Sequence, residues 1–577
     1  MNSIILFMLD FIKKLVKKIN KLDDFINLYK ENAGEVSMPS YAYMNWGIKL
    51  LDSGDEKKAL ELLEKSVEMP YANSDSYVNL AIVLAKENKY ELALNYLKKA
   101  TKLDNENAKA YQILGSVYSE MENFEEAKKA FSTSIKINPR NSQTYINRAI
   151  FYAKTGKIKE AHLDFKTACH INPGNTQGWF LWGVLCSQCK DYINAVERLK
   201  KAVSLDPFHS DAYYHLASIS FLTGQFTEAI KYAKKSIAIN PKRIECYIAL
   251  AESWLQLKNE KECFSVYPNT LKECSPTSQF YYSWGVSFQF FKKWEESFEK
   301  LKKAIELDNK NHLAYYALSI SYFKTEKEDE AAKMLEKTIE IKPDHTIALY
   351  NLGQYYIRKN DYENAVKYYK KAVASNINSG HIYLNIASCY ELMNKKEEAL
   401  EYWKKAVEYN PKNTDAKISL ANAYLKTGDI QNAIRKIRNA YKENKKDIKI
   451  LLMYGALLLN NNEYFEALEK LDEALKINPD YEIAKFAKTE CLIKMGKIEE
   501  AESILGPLEE KEELKDTNDI LYLRALINEY KITKSNNLEL IDETIKICDK
   551  IISLHNETGI DSKILAIKNN LIKIKEN

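Results

Sequence analysis

The sequence predicts an all-α protein, an α-solenoid in which antiparallel helix pairs stack one on the next. Three observations carry that prediction. Glycine (17) and proline (12) are scarce in 577 residues, against roughly 12% for the pair in average soluble proteins, so few turns interrupt the helices. Prolines recur on a fixed interval: Pro139, Pro173, Pro207 and Pro241 lie 34 residues apart, and Pro343, Pro411 and Pro479 fall on the same grid. Small residues recur on that interval too, and a fixed period of this length marks a stack of repeats.

A 34-residue frame laid from Ser40 places Gly47, Ala81, Gly115, Ala149, Gly183, Ala217, Ala251, Gly285, Ser319, Gly353, Ala387, Ala421, Gly455 and Thr489 in its eighth slot. The twentieth slot is alanine from Ala59 to Ala501, with Cys263 and Ser297 as exceptions. Inside one frame, Tyr111, Leu114, Gly115 and Tyr118 share a helical face, and so do Ala127, Phe131 and Ser134 further on, at the spacing of two amphipathic helices. A short polar turn joins them. It carries Gly54, Gly156, Gly224, Gly428 or Gly496 in five frames, a residue suited to the left-handed conformation that ends a helix. Asparagine before the periodic proline (Asn138, Asn172, Asn240, Asn410, Asn478) closes the second helix. One hairpin cannot bury its apolar face alone, and stacking many of them makes a continuous core.

The array therefore spans 40–515, with repeats starting at 40, 74, 108, 142, 176, 210, 244, 278, 312, 346, 380, 414, 448 and 482. Two frames are weak: the seventh carries Cys263 and Pro268 where its second helix should run, and the fourteenth carries Gly506, Pro507 and Leu508. Residues 1–39 do not fit the frame. There Ile5, Leu9, Ile12, Val16, Ile19, Leu22 and Phe25 form one stripe, with lysines largely opposite. That stripe reads either as a cap over the first repeat or as a membrane-surface helix of residues 1–30. Residues 516–577 read as a degenerate repeat, whose first helix near Leu521–Tyr530 has slipped two residues off the grid, followed by capping helices.

Composition excludes several functions. Eighty-four basic against 80 acidic residues leave +4, too little for a general nucleic-acid footprint. No glycine-rich phosphate loop and no zinc-protease motif occurs, so no catalytic residue, metal or cofactor is expected. Cys186 and Cys189 form one CxxC, but Cys186 occupies a packing slot. His209 and His345 read as solvated turn residues, and the basic run from Arg435 to Lys449 as a solvated outer face. Nine scattered cysteines indicate a reducing compartment, hence a cytoplasmic protein, membrane-peripheral if residues 1–30 touch lipid.

The slots from Ala108 to Arg243 (a large residue, Leu-Gly or Leu-Ala, then Tyr, Ala, Phe, Ala and Pro) resemble the tetratricopeptide repeat family. The resemblance implies a right-handed superhelix with first helices on the concave wall. It also implies inward positions at slots two, five, six, nine, twelve and thirteen. Slot six is asparagine at Asn45, Asn79, Asn147, Asn351 and Asn385, and slot nine at Asn422. An amide offers donors and an acceptor together, which suits the backbone of an extended peptide. The pattern resembles the asparagine ladder in the repeat region of O-linked N-acetylglucosamine transferase. Between the two partial ladders the wall turns aromatic, with Phe180, Tyr214, Phe221, Tyr282, Phe290, Tyr316 and Phe323. The blander reading has these rings packing between neighbouring first helices. No frame has lysine in slot five, so the family's carboxylate clamp for chaperone C-termini is not expected. The sequence thus predicts a non-enzymatic scaffold that binds a protein or peptide segment. The alternatives are a membrane-peripheral assembly factor and a repeat subunit beside a separate glycosyltransferase-like chain.

Overall fold

The computed structural model describes residues 40–375, 380–511, 513–514, 517–535, 538–554 and 562–576. The amphipathic stripe of residues 1–39 lies outside the described residues. The chain divides into two compact units, Met1–Phe291 and Lys292–Asn577.

The described helices of the first unit are α1 (Ser40–Ser53), α2 (Glu56–Glu68), α3 (Ser74–Lys86), α4 (Tyr90–Leu103), α5 (Ala108–Glu120), α6 (Phe124–Ile137), α7 (Ser142–Lys154), α8 (Ile158–Ile171), α9 (Thr176–Gln188), α10 (Tyr192–Leu205), α11 (Ser210–Leu222), α12 (Phe226–Ile239), α13 (Ile244–Gln256), α14 (Glu260–Glu273) and α15 (Ser278–Phe290). The second unit holds α16 (Trp294–Leu307), α17 (His312–Lys324), α18 (Glu328–Ile341), α19 (Thr346–Arg358), α20 (Tyr362–Ala374), α21 (Gly380–Leu392), α22 (Lys396–Tyr409), α23 (Thr414–Lys426), α24 (Ile430–Glu443), α25 (Ile448–Asn460), α26 (Tyr464–Ile477), α27 (Glu482–Lys494) and α28 (Ile498–Glu509). It ends with α29 (Asn518–Ser535), a 3₁₀ turn (Leu538–Leu540), α30 (Ile541–Leu554) and α31 (Ser562–Glu576). The fold is all-α, and among the described residues no strand occurs. Up to α28 the odd helices are first helices and the even ones second helices.

The small slots set how closely two helices of a hairpin approach. A Cβ on Gly353 would lie 2.5 Å from the ring of Tyr369, and one on Gly115 would lie 2.8 Å from the ring of Phe131. Both separations are below contact, so the large residue of the second helix fills the space a side chain would need. Ala59, Ala93, Ala127, Ala161 and Ala195 in the twentieth slot are fully buried. Side-chain caps start many first helices: Asn107 accepts from Ala110 N at 3.0 Å and Asn413 from Ala416 N at 3.0 Å. Such caps contribute about 1 kcal/mol each.

The turn inside each hairpin follows one backbone rule. Its reversing residue is left-handed at Gly54, Gly156, Gly224, Gly428 and Gly496, as the sequence predicts. The same conformation occurs at Asn88, Glu122, Lys190, Lys258, Lys292, Glu326, Asn360, Asn394 and Asn462, with φ between 56° and 65° across all left-handed non-glycine residues. Hydrogen bonds enforce it. Asp191 N reaches Cys186 O at 2.9 Å and Lys190 N reaches Ser187 O at 3.0 Å, closing the helix end in the manner of a Schellman turn.

The seventh repeat, weak by sequence, keeps a continuous second helix. Helix α14 runs through Pro268, although proline removes one helical hydrogen bond. Packing holds it. Tyr267 is fully buried, stacks on Trp284 at 4.9 Å and meets Phe280 edge-on at 5.5 Å. At the other end, α29 begins at Asn518, and Ile564, Ile567 and Leu571 of α31 join Ile527 and Cys548 in one core that closes the second unit.

Two stability predictions follow from these slots. Lys190→Gly removes a strained left-handed lysine and should stabilise the α9–α10 turn by about 0.5–1 kcal/mol, read as slower native-state amide exchange there. Ala195→Leu should overpack α10 and cost about 1–3 kcal/mol, with faster exchange confined to repeats four to six because coupling is between nearest neighbours.

Candidate functional site

First helices converge within each unit. In the first unit α1, α3, α5 and α7 touch in succession, as do α9, α11, α13 and α15. In the second unit α23, α25, α27 and α29 do the same. Successive second helices make no comparably close approach among the described residues. In these stretches the first helices approach one another more closely than the second helices do, on the side where the family resemblance places a ligand.

In the first unit, part of the asparagine set is spent on neighbouring first helices. Asn79 is buried and its oxygen accepts from Lys109 Nζ at 3.0 Å. Asn147 is half-buried; its amide donates to Ser116 Oγ at 3.3 Å and its oxygen accepts from Gln143 at 2.9 Å. Asn45 keeps a buried amide nitrogen with no hydrogen-bond partner. The aromatic stretch begins with Phe180, which is buried beneath His209 and His215, with ring centroids 4.6 and 5.6 Å away. Tyr214 packs on His215 at 5.3 Å and carries the Arg243 guanidinium over its ring at 4.5 Å. Phe221 is half-buried against Phe226 at 5.6 Å, Tyr282 is half-buried, and Phe290 is exposed.

In the second unit, Tyr316 packs on His345 at 4.9 Å, and its hydroxyl reaches Asn351. Phe323 lies under the Arg358 guanidinium at 5.4 Å. Asn385 and Asn422 sit half-buried on α21 and α23. Asn385 lies beside the Tyr369 hydroxyl, which forms no good hydrogen bond. Asn385 reaches only the Tyr369 hydroxyl, and Asn422 makes no hydrogen bond among the described residues.

Several residues that shape this wall escaped the sequence reading. His209 and His345 are not merely solvated: each caps its helix, accepting from Ala212 N at 3.3 Å and from Ala348 N at 3.2 Å. Burial lowers the pKa of His345, and burial together with Arg243 lowers that of His215. Glu252, in slot nine of the seventh repeat, is half-buried. Its Oε1 accepts from Ser283 Oγ at 3.2 Å. Burial raises its pKa, opposed by that hydrogen bond. The Ser116–Asn147 bond joins the same two slots, so the spacing was readable, but the chemistry of the pair was not. Cys186 is buried, which pushes its thiol up to about 11, as its packing slot implies. In the basic run, Arg438 donates to Tyr454 at 2.7 Å and Lys449 pairs with Asp415 at 2.9 Å.

Comparison with known proteins places the repeat in context. Residues 84–145, 313–378, 382–413, 418–482 and 462–527 match sequence models of the tetratricopeptide repeat. Residues 188–270 match the model described as anaphase-promoting complex, cyclosome, subunit 3. No curated protein sequence matches the chain. Among solved structures, YrrB, described as a TPR protein with an unusual peptide-binding site, is 22% identical over 33% of this chain and 97% of its own, with a TM-score of 0.30. The anaphase-promoting complex hetero-tetramer Cut9–Hcn1 is 13% identical over 81% of this chain and 99% of its own, with a TM-score of 0.33. A tetratricopeptide repeat protein from Parabacteroides merdae is 18% identical over 43% of this chain and 98% of its own, with a TM-score of 0.33.

The raised pKa of Glu252 gives a signed prediction. A carboxyl that holds its proton more tightly when folded favours the fold below its unfolded pKa, and that contribution is lost as pH rises through the folded value. Glu252→Gln cannot ionise. Its urea midpoint, followed by tryptophan fluorescence, should exceed that of the parent near pH 8 and approach it near about pH 4, where both forms are uncharged.

Proposed function

Because the chain belongs to the tetratricopeptide repeat family, we propose that it is a non-enzymatic scaffold that holds a segment of another protein against its first helices. The observation that carries this reading is the state of Asn385 and Asn422. Two half-buried amides stand on α21 and α23; Asn422 makes no hydrogen bond among the described residues and Asn385 meets only the Tyr369 hydroxyl. A buried or half-buried amide without partners costs free energy, and an extended peptide backbone supplies the carbonyl and N–H that would satisfy it. Asparagines then read the main chain, while Tyr316 and Phe323 in the second unit and Tyr214, Phe221, Tyr282 and Phe290 in the first offer rigid apolar area to side chains. Aromatic anchors of this kind commonly dominate interface energetics.

No helix among the described residues is long and apolar enough to cross a membrane. Partner capture on the immobilised full chain tests the scaffold reading. Asn385→Ala combined with Asn422→Ala should weaken retention of bound partners by roughly 10-fold, with far-UV circular dichroism unchanged. Undiminished retention by the folded double variant would remove the asparagines from the binding surface.

A further inference from the structure

The aromatic stretch of the first unit holds a carboxyl group, Glu252, that faces no cation among the described residues. Across repeats five to eight, the inward slots hold Gln177, Asp211, Glu245 and Gln279 in the second position and mostly apolar or aromatic residues beyond it, with no lysine or arginine anywhere. Asp211 is paired with Arg243, which also approaches Glu245 at 3.9 Å. Glu252 alone lies in the middle of the wall without a cation. Ser283 holds one carboxylate oxygen at 3.2 Å. The other oxygen accepts no hydrogen bond among the described residues and is not fully buried. On the flanking first helices stand Phe221 and Tyr282, both half-buried. The chain as a whole carries +4, so this acidic, aromatic stretch is a local reversal of sign.

The carboxylate is also held in place. Tyr267 OH lies 3.3 Å from Ser283 Oγ and 2.7 Å from Ser287 Oγ, and Ser287 Oγ donates to the Ser283 carbonyl at 3.0 Å. Tyr267, Ser283 and Ser287 are buried. This network fixes the Ser283 hydroxyl toward Glu252 from the core side. A half-buried carboxylate with one neutral donor and one unpaired oxygen lacks an opposite charge, and pairing it repays part of its desolvation.

We propose that Glu252 is the specificity-determining residue of this stretch, taking the lysine or arginine side chain of a bound protein segment whose neighbouring apolar residues lie on Phe221 and Tyr282. The proposal rests on the groove reading above and adds to it the chemistry of the segment. The aliphatic stem of a basic side chain covers apolar surface while its head reaches a charge, and aromatic faces beside the head add cation–π attraction.

The test uses a displayed library of random twelve-residue peptides selected on the full chain, in parallel on Glu252→Gln and on Phe221→Ala. Peptides selected by the parent should share one lysine or arginine next to apolar residues. On Glu252→Gln that basic preference should fall to the library background while the apolar preference persists. A selected peptide resynthesised with norleucine for its lysine should bind the parent roughly 10- to 100-fold more weakly. The norleucine peptide should bind the parent and Glu252→Gln equally. Peptides that lose binding on Phe221→Ala but show no basic preference, or the same preference on Glu252→Gln, overturn the assignment and leave the groove reading standing. Recovery of no peptides, or of peptides indifferent to both substitutions, overturns the two together.

Discussion

Every hairpin in this protein depends on one steric constraint: two helices must come close enough that only a hydrogen, a methyl or a hydroxymethyl fits between them. Gly353 against Tyr369 and Gly115 against Phe131 show the limit, where even a Cβ would overlap the opposing ring. Fully buried alanines in the twentieth slot, such as Ala127 and Ala161, do the same from the other helix. Once the pair is this close, large residues of the second helix fill the space opposite the small slot of the first. Phe131, Phe165 and Tyr369 fill it and are almost wholly excluded from water. Local propensity alone would not hold helices of 12 to 14 residues in water, since isolated helices of that length are marginal. Their stability comes from contacts with the next repeat.

The helical pairs were legible because that constraint is written in residue size, and size survives in a single sequence. Slot eight and slot twenty identify each hairpin without any structure. The reversing turn was only partly legible. Glycine announces it at Gly54 or Gly428, but Glu122, Lys190 and Glu326 adopt the same left-handed backbone, and nothing in a glutamate or lysine signals that. The hydrogen bonds back into the preceding helix impose the conformation. Helix α14 shows the converse. Pro268 looks like a break, yet the stacking of Tyr267 on Trp284 keeps the helix intact, and a stacking partner sixteen or more residues away is not visible in a local pattern.

The roles of the predicted wall residues were less legible than their spacing. The slot-six amides of Asn79, Asn147 and Asn351 meet Lys109, Ser116 and Tyr316 of adjoining first helices. Asn385 and Asn422 differ only in what their neighbours offer, and a periodic reading treats all of them alike. Histidine was misjudged for the same reason. His209 and His345 lie in turns by sequence, but each ring folds back to cap its helix and to cover an aromatic residue, Phe180 in one case and Tyr316 in the other. Glu252 is unremarkable as a letter in slot nine. Its character comes from burial and from the single hydroxyl that faces it.

The seventh repeat gives the wall an unusual kind of backing. Elsewhere the layer of second helices meets the layer of first helices mainly through apolar contacts, which have no direction. Here a series of hydroxyls runs from Tyr267 on α14 through Ser283 on α15 to the carboxylate of α13. Tyr267 gives its hydrogen to Ser287, which donates to the Ser283 carbonyl, while Ser283 gives its own to Glu252. Directional polar contacts thereby tie three helices together at the repeat whose second helix carries Pro268, so the inner carboxyl and that helix share one hydrogen-bonded cluster.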